Sequence, residues 1–395
     1  MRLIRTIKIR LNIPASQLQP TIDAYTNSYN QVCKTGFQKT TNGVDLHKLT
    51  YEEARKSLPS QLAISARMKA TETLRSVKVL KSKKCPQSKQ CSIRLDANSY
   101  NVWMDKRIIS ILTIDGRMKL KFDVPEYFKQ YLTWKRTSAD LFIRKGKVFL
   151  NICFEKEMED IAPNGKLIGI DRGIKRPAVS SDNCFFDGKR LWHIKRKYQE
   201  LRSQLQSKGH NAQRHLQKVK QKENRFVRDS NHCISKQIVS RLQSGDTIVL
   251  EKLTGIRGGA RKLTKEQREQ GKKTLRKAQR KQVNQWSFFQ LEKFLTYKAA
   301  AKGVSVVYVD ARYTSQRCSK CGHIKKSNRK NQSIFKCRLC GFNHNADLNA
   351  AKNICLKYLD ATGYPSTAVV NQPNDNINAP SMKCSKLRPF RVVGY

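Results

Sequence analysis

The sequence predicts an α/β protein in two parts, the second of which holds a four-cysteine metal ribbon between a sheet and its last helix. Three observations carry this expectation. Two short apolar runs, LIGI and TIVL, end directly in acids, Asp171 and Glu251. Between them lie long Lys- and Arg-rich stretches with few helix breakers. Beyond them come two CxxCG pairs.

Composition bounds the function before any motif is read. The 395 residues carry 79 Lys and Arg against 30 Asp and Glu, a formal charge of +49. Such a chain repels itself when compact and is relieved by a polyanion, so nucleic acid is the leading partner. Apolar residues make up 38%, enough to build cores and to exclude wholesale disorder. No run approaches the ~18 apolar residues of a membrane span, and MRLIRTIKIRLNIP places charges where a signal peptide needs an apolar stretch. A soluble, cytoplasmic, nucleoid-associated protein with no membrane partner is expected. The twelve cysteines are spread through a long chain, which suits a reducing compartment.

The elements follow in order. Leu3, Ile7, Ile9, Leu11 and Ile13 alternate with Arg2, Lys8 and Arg10 until Pro14, which reads as a strand. From about residue 16 to 73 the pattern is helical, with Leu62, Ala66, Ala70, Leu74 and Val77 on one stripe. A basic loop, residues 78–89, precedes the strand RIISILTI and a hairpin in which ADLFIR and KVFLNICFEK meet through Lys145 and Gly146. After Pro163 to Gly165, LIGID, RPAVSSDN and CFFDG read as consecutive antiparallel strands. Residues 191–208 and 212–242 read as basic helices with a turn at Gly209, and GDTIVLE is a further strand. A helix over 286–302 shows Phe288, Leu291, Leu295 and Ala299 on one face, Gly303 closes it, and VSVVYVD follows as a strand. The tail, residues 359–395, is polar and expected to be disordered.

Aspartate is depleted in strands, so one acid at a strand end is unremarkable in solvent; two in the same setting suggest a site. A third, Asp347, lies in NHNADLNAAKNI, where Asn345 can cap a helix whose inner face is Leu348, Ala351 and Cys355. The order of antiparallel strands, a strand bearing Glu and a helix bearing Asp is that of an RNase H-like nuclease domain. Phosphodiester attack builds negative charge on both the attacking and the leaving oxygen, and two Mg²⁺ ions can stabilise both. Hard cations take oxygen ligands, and three converging carboxylates repel one another without a cation. Asp171, Glu251 and Asp347 are therefore the expected catalytic and Mg²⁺-binding residues. Asp310 also ends a strand but precedes the ribbon and could equally cap a turn, while Asp182 and Asp187 read as turn residues.

Cys318-x2-Cys321 and Cys337-x2-Cys340 are fifteen residues apart, the spacing of a four-cysteine zinc ribbon. Gly322 and Gly341 follow the two pairs and permit the tight turn that aims N–H groups at thiolates. Structural zinc on these four cysteines is expected, with His323 and His344 close enough to be alternative ligands. Cys85 and Cys91 read as loop thiols. The ribbon insert, HIKKSNRKNQSIFK, is basic and expected to face nucleic acid.

Residues 190–228 hold twelve basic residues and residues 261–281 hold ten. Beside a phosphodiester site such tracts are expected to track phosphate with salt-dependent affinity, positioning the strand without reading its sequence. The candidate contacts are Lys195, Arg196 and Lys197, then Lys272, Lys273, Arg276, Lys277, Arg280 and Lys281, then Arg317, Lys325 and Lys326.

GIDRGIK, VLEKLTG, TSQRCSKCG, the second CxxCG and NADLNAAKNI occur in the order found in the TnpB nucleases of transposons, which the chain resembles over residues 167–354. TnpB proteins are relatives of the compact type V CRISPR effectors. The resemblance implies an RNA-guided DNA endonuclease that binds a guide RNA (ωRNA), recognises a motif beside its target and cuts double- and single-stranded DNA at one RuvC site, in the service of a transposable element. It implies a RuvC domain in two parts, 165–311 and 346–358, around a target-binding zinc ribbon, 312–345. Ahead of these it implies a β-barrel wedge, 1–15 and 91–164, with a helical recognition insert, 16–90. Sequence discrimination would be delegated to base pairing. Where TnpB proteins commonly carry Pro-Ser-Ser before the first CxxC, this chain has Tyr313-Thr314-Ser315-Gln316. The alternatives are a non-catalytic zinc-ribbon nucleic-acid-binding regulator, for which the acids would be incidental, and a transposase that joins strands.

Overall fold

A computed structural model describes residues 2–159, 164–209, 212–256, 277–363 and 382–383. They divide into two compact units, Arg2–Glu157 and the residues from Met158 onward.

In the first unit, β1 (Arg2–Leu11) leads into three helices, α1 (Gln19–Gly36), α2 (Gly43–Arg55) and α3 (Ser60–Val79). Six strands follow: β2 (Ile93–Leu95), β3 (Tyr100–Trp103), β4 (Ile108–Thr113), β5 (Gly116–Lys121), β6 (Lys135–Arg144) and β7 (Lys147–Glu157). The alternation in β1 buries Leu3, Ile7, Ile9 and Leu11 against the core, and the strand pairs antiparallel with β7 over its whole length. Lys145 and Gly146 both take positive φ, which makes the β6–β7 connection a two-residue turn matched to strand twist. Leu62, Ala66, Ala70 and Leu74 line the buried stripe of α3.

The expected barrel does not close. The strands form an open sheet of order β1-β7-β6-β2 and a separate antiparallel sheet β3-β4-β5, joined among the described residues by one bridge between Leu11 and Phe122. The reason lies at β2, whose outer edge is capped by a helix instead of a strand. Ser65 Oγ of α3 donates to the Arg94 carbonyl at 2.7 Å, and Lys69 Nζ donates to the Ser92 carbonyl at 2.5 Å. Side chains thus satisfy the backbone groups that a further strand would need.

The second unit opens with β8 (Leu167–Asp171), β9 (Ala178–Ser180) and β10 (Cys184–Phe186). Then come α4 (Lys189–Ser207), α5 (Gln213–Ser240), β11 (Thr247–Glu251), α6 (Lys277–Gln285), α7 (Phe288–Ala300) and β12 (Ser305–Val309). The remainder is β13 (Ile334–Lys336), β14 (Asn343–Asn345), α8 (Ala346–Thr362) and β15 (Met382–Lys383). The main sheet has the order β12-β11-β8-β9-β10-β15. Strand β9 is antiparallel to both of its neighbours, β8 and β10, while β11 and β12 join parallel to β8. Helix α8 runs to Thr362, where Gly363 caps it with φ of 62°, so the segment expected to be a disordered tail begins inside a helix. Met382–Lys383 pair with β10, and the rest of 364–395 lies outside the described residues.

Strand alternation then places the acids. Ile168 and Ile170 of β8, with Ile248 and Leu250 of β11, face a core filled by Ile234 and Ile238 of α5 and Leu291 and Leu295 of α7. Gly169 and Asp171 point the other way, as do Val249 and Glu251, because successive side chains alternate. That second face is covered by α8, whose Ile354 packs on Val249. The helix lies so close to β8 that a Cβ on Gly169 would fall 2.2 Å from the Ala351 carbonyl oxygen and 3.0 Å from the Cys355 nitrogen. Both obstacles are backbone, so neither can swing aside.

Gly169→Ala is therefore expected to push α8 off the sheet at a cost of about 1–3 kcal/mol, as overpacking does. The measurement is the denaturant midpoint of the full chain, and a midpoint equal to wild type would contradict the close approach.

Candidate active site and metal centre

Parallel pairing aligns Ile170 with Leu250, which brings the next residues, Asp171 and Glu251, to one edge of the sheet. Asp347 enters from the first turn of α8. Its helix begins there because Asn345 caps it, accepting from the N–H groups of Asp347 at 3.0 Å and Leu348 at 3.2 Å. Burial first, and then the carboxylates of Glu251 and Asp347, push Asp171 up to about 8. Burial also raises Glu251, against the donation it receives from Thr314. Asp171 thus feels the charge of Glu251 and of Asp347, and the oxygen donors of the three suit a hard divalent cation, which would remove that repulsion.

Glu251 and Asp347 are also held by groups that the sequence motifs did not single out. Arg172, only 2% exposed, donates to the Glu251 carbonyl at 2.5 Å and forms an ion pair with Glu292 of α7. Thr314 Oγ lies 2.5 Å from Glu251 Oε1. Asp347 is bracketed by two arginines, Arg176 at 3.0 Å and Arg329 at 3.3 Å, one on each carboxylate oxygen. A cation at Asp347 would compete with both guanidinium groups. Signals for these residues existed: Arg172 directly follows a strand-end acid, and Asn345, Asn349 and Asn353 recur every four residues, one face of a helix.

Asp310 stays outside the cluster. Its side chain is 63% exposed and pairs with Arg312 at 3.8 Å, while its carbonyl accepts from Lys357 Nζ at 2.9 Å. Asp182 pairs with Arg241 at 3.2 Å, and Asp187 accepts from the Lys189 N–H at the start of α4, as turn residues do.

The four ribbon cysteines converge. Their sulfur atoms all lie within 4.8 Å of one another, with Cys318–Cys340 at 3.7 Å and Cys321–Cys337 at 3.6 Å. Tetrahedral zinc with Zn–S of ~2.3 Å sets its sulfurs about 3.8 Å apart, whereas a disulfide needs about 2.05 Å. The donor set fits zinc and does not fit a redox pair. Two matching turns build it: the Cys318 N–H donates to the His323 carbonyl at 2.9 Å, the Cys337 N–H to the Phe342 carbonyl at 2.8 Å, and Gly322 and Gly341 take positive φ. Phe335, fully buried, forms the small core beneath. Neither His323 nor His344 joins the four sulfurs among the described residues; His344 Nδ1 accepts from the Asn345 N–H instead. Cys85 and Cys91 are free thiols, exposed and buried respectively.

The basic candidates divide. Lys195 is half-buried: it donates to the Gln285 carbonyl at 2.9 Å, tying α4 to the end of α6, and burial lowers it to about 8. Arg196 and Lys197 are exposed, the former paired with Glu200 and lying over the Trp192 ring. Lys325 and Lys326 are exposed on the ribbon, while Arg317 pairs with Asp360 at 2.6 Å. Arg280 is half-buried on α6. Lys272, Lys273 and Arg276 lie outside the described residues, as do the side chains of Lys277 and Lys281. No helix among the described residues is long and apolar enough to cross a membrane.

Comparison with known proteins bears out the resemblance to TnpB. Residues 288–354 match the family described as "Cas12f1-like, TNB domain", and residues 151–255 the one described as "Probable transposase". The chain is 32% identical over 241 residues to a CRISPR-associated endodeoxyribonuclease Cas12f1 of Sulfoacidibacillus thermotolerans, covering 55% of this chain and 52% of that one. It is 29% identical over 175 residues to the TnpB-like protein MJ0751 of Methanocaldococcus jannaschii, covering 44% and 58%. The chain spans about half the length of the curated relatives it matches. Among solved structures, a chain of a Cas12f1–sgRNA–target DNA complex is similar with a TM-score of 0.61 at 14% identity, over 90% of this chain and 99% of that one. That likeness establishes a mixed α/β fold of the compact Cas12 type.

Elemental analysis of the purified chain is expected to return close to one zinc per molecule, and Cys337→Ser to lose it and soften the ribbon, because metal binding is part of its folding energy. A folded, metal-free wild-type chain would contradict the assignment.

Proposed function

We propose that this TnpB-like chain is an RNA-guided DNA endonuclease with an RNase H-like, RuvC-type site. The reading is carried by one observation, the placing of Asp171 and Glu251 at the ends of neighbouring parallel strands, with Asp347 in the first turn of the helix that lies against them. In support stand the names of its relatives, endodeoxyribonucleases among them, and the guide RNA and target DNA in the complex of its structural neighbour. The charge of +49 suits a protein that holds RNA and DNA together.

In this reading the three acids hold Mg²⁺, two ions in the full complex. Bound there, the metal supplies Lewis acidity that stabilises charge on the attacking and leaving oxygens of a phosphodiester. Asp171 and Glu251 stand on rigid strand ends, and Asp347 on a capped helix, so little reorganisation is needed when a phosphate arrives. Arg176 and Arg329 hold the two Asp347 oxygens that would ligate the metal, and as cations beside the site they would favour an incoming phosphate. The four cysteines hold structural zinc, and the segment 312–345 binds the target strand with Lys325 and Lys326 on its surface. Residues 1–15 and 91–164 serve as the wedge, 16–90 as the recognition insert, and together they hold ωRNA and read the adjacent motif. The activity maintains a transposable element.

Purification from the native locus followed by sequencing of bound RNA is expected to yield one discrete species. With that RNA and Mg²⁺ the wild type should cut matched DNA, while Asp171→Ala should lose cleavage at least about a thousandfold, several kcal/mol of transition-state stabilisation, and keep binding. Binding without cleavage in the wild type would favour the zinc-ribbon regulator, and joined products would favour the transposase.

A further inference from the structure

The segment between β12 and the first ribbon cysteine makes contacts that a simple linker would not. Thr314 is 3% exposed, and its Oγ lies 2.5 Å from Glu251 Oε1 and 3.0 Å from the Ala311 carbonyl. A hydroxyl has one proton, and the shorter, charge-assisted partner is the carboxylate. The backbone around it is fixed from the opposite side. Asn353 Nδ2, on a residue with no exposed surface, donates to the Thr314 carbonyl at 2.9 Å and to the Arg317 carbonyl at 2.6 Å. One turn earlier on α8, Asn349 Nδ2 donates to the same Arg317 carbonyl at 2.8 Å, and its Oδ1 accepts from the Ser319 N–H at 3.0 Å. Both carbonyl and amide groups on either side of Cys318 are therefore held by the helix that carries Asp347.

The preceding residue is strained to make this possible. Tyr313 takes φ of 65°, a left-handed conformation that non-glycine residues rarely adopt, and its carbonyl accepts from the N–H groups of Gln316 and Arg317 at 2.9 Å each. The residue is 56% exposed, so burial of its side chain does not explain the strain. The turn is over-determined by what comes after it, which is the aim of Thr314 at Glu251.

We propose that Thr314 is a positioning residue: its hydroxyl orients the Glu251 carboxylate for cation binding, and through the Asn349–Asn353 clamp it couples the zinc ribbon to that carboxylate. The inference rests on the nuclease reading for its consequence in cleavage, and on geometry alone for its consequence in metal binding. Thr314 touches no reacting atom. It sets the direction of one that does.

The test compares Thr314→Val, which keeps the shape and removes the hydroxyl, with Thr314→Ser, which keeps the hydroxyl. Mn²⁺ binding to the zinc-loaded full chain is read by electron paramagnetic resonance, with Glu251→Gln as reference, and cleavage is measured in parallel over a Mg²⁺ titration. Thr314→Val is expected to weaken Mn²⁺ binding about tenfold and to shift the Mg²⁺ dependence of cleavage to higher concentration, with zinc content unchanged; Thr314→Ser should restore both. Wild-type Mn²⁺ affinity in Thr314→Val would overturn the inference. So would loss of zinc from that variant, which would make Thr314 a ribbon-folding residue, or failure of Thr314→Ser to rescue. If no chain cleaves but the Mn²⁺ pattern holds, the nuclease reading fails and the positioning role stands.

Discussion

The contact on which the rest of the second unit depends is the seating of α8 on β8 at Gly169, backbone against backbone. It decides the distance at which a helix-borne acid can meet two strand-borne ones. Any side chain larger than hydrogen at residue 169 would lift the helix, and with it Asp347, away from Asp171 and Glu251. Parallel pairing of β8 with β11 fixes the other two acids at one level. The site is thus the product of two backbone constraints, and its side chains only complete it.

Electrostatics at the site run against the charge of the whole. A chain of net +49 places two strand-end acids, Asp171 and Glu251, where burial opposes ionisation, and Asp171 is held up to about 8. The protein balances this locally with arginine: Arg172 beneath the sheet edge, Arg176 from the loop after β8, and Arg329 from the ribbon. Two of the three come from segments on different sides of Asp347, so the acid is held by a clamp that a divalent cation can replace charge for charge.

Features written in local pattern were legible in the sequence. LIGID and TIVLE announce buried strands with acids at their ends, the CxxC pairs announce the metal, and Lys145-Gly146 announces a hairpin. Features that depend on what a side chain meets across the fold were not. Nothing local says that Ser65 and Lys69 will finish the edge of β2 and leave the sheet open, or that Lys195 in a basic tract will turn inward to a carbonyl of α6. Thr314 belongs to the same class: a small polar residue in a loop has many ordinary uses, and only its proximity to Glu251 distinguishes this one.

Strand β14 ends at Asn345 and α8 begins at Ala346, so no linker separates the ribbon from the helix that bears Asp347. At 3.6 residues per turn, one residue added there would rotate the acid by about 100° around the helix axis. The stretch between the two cysteine pairs is tied to the same root, since Arg329 reaches Asp347 and the Ala346 N–H donates to the Ser333 carbonyl. Ribbon and helix therefore form a single inheritable cassette, locked in length at its root. Exchange of such modules between related proteins would succeed only when the cut falls outside both.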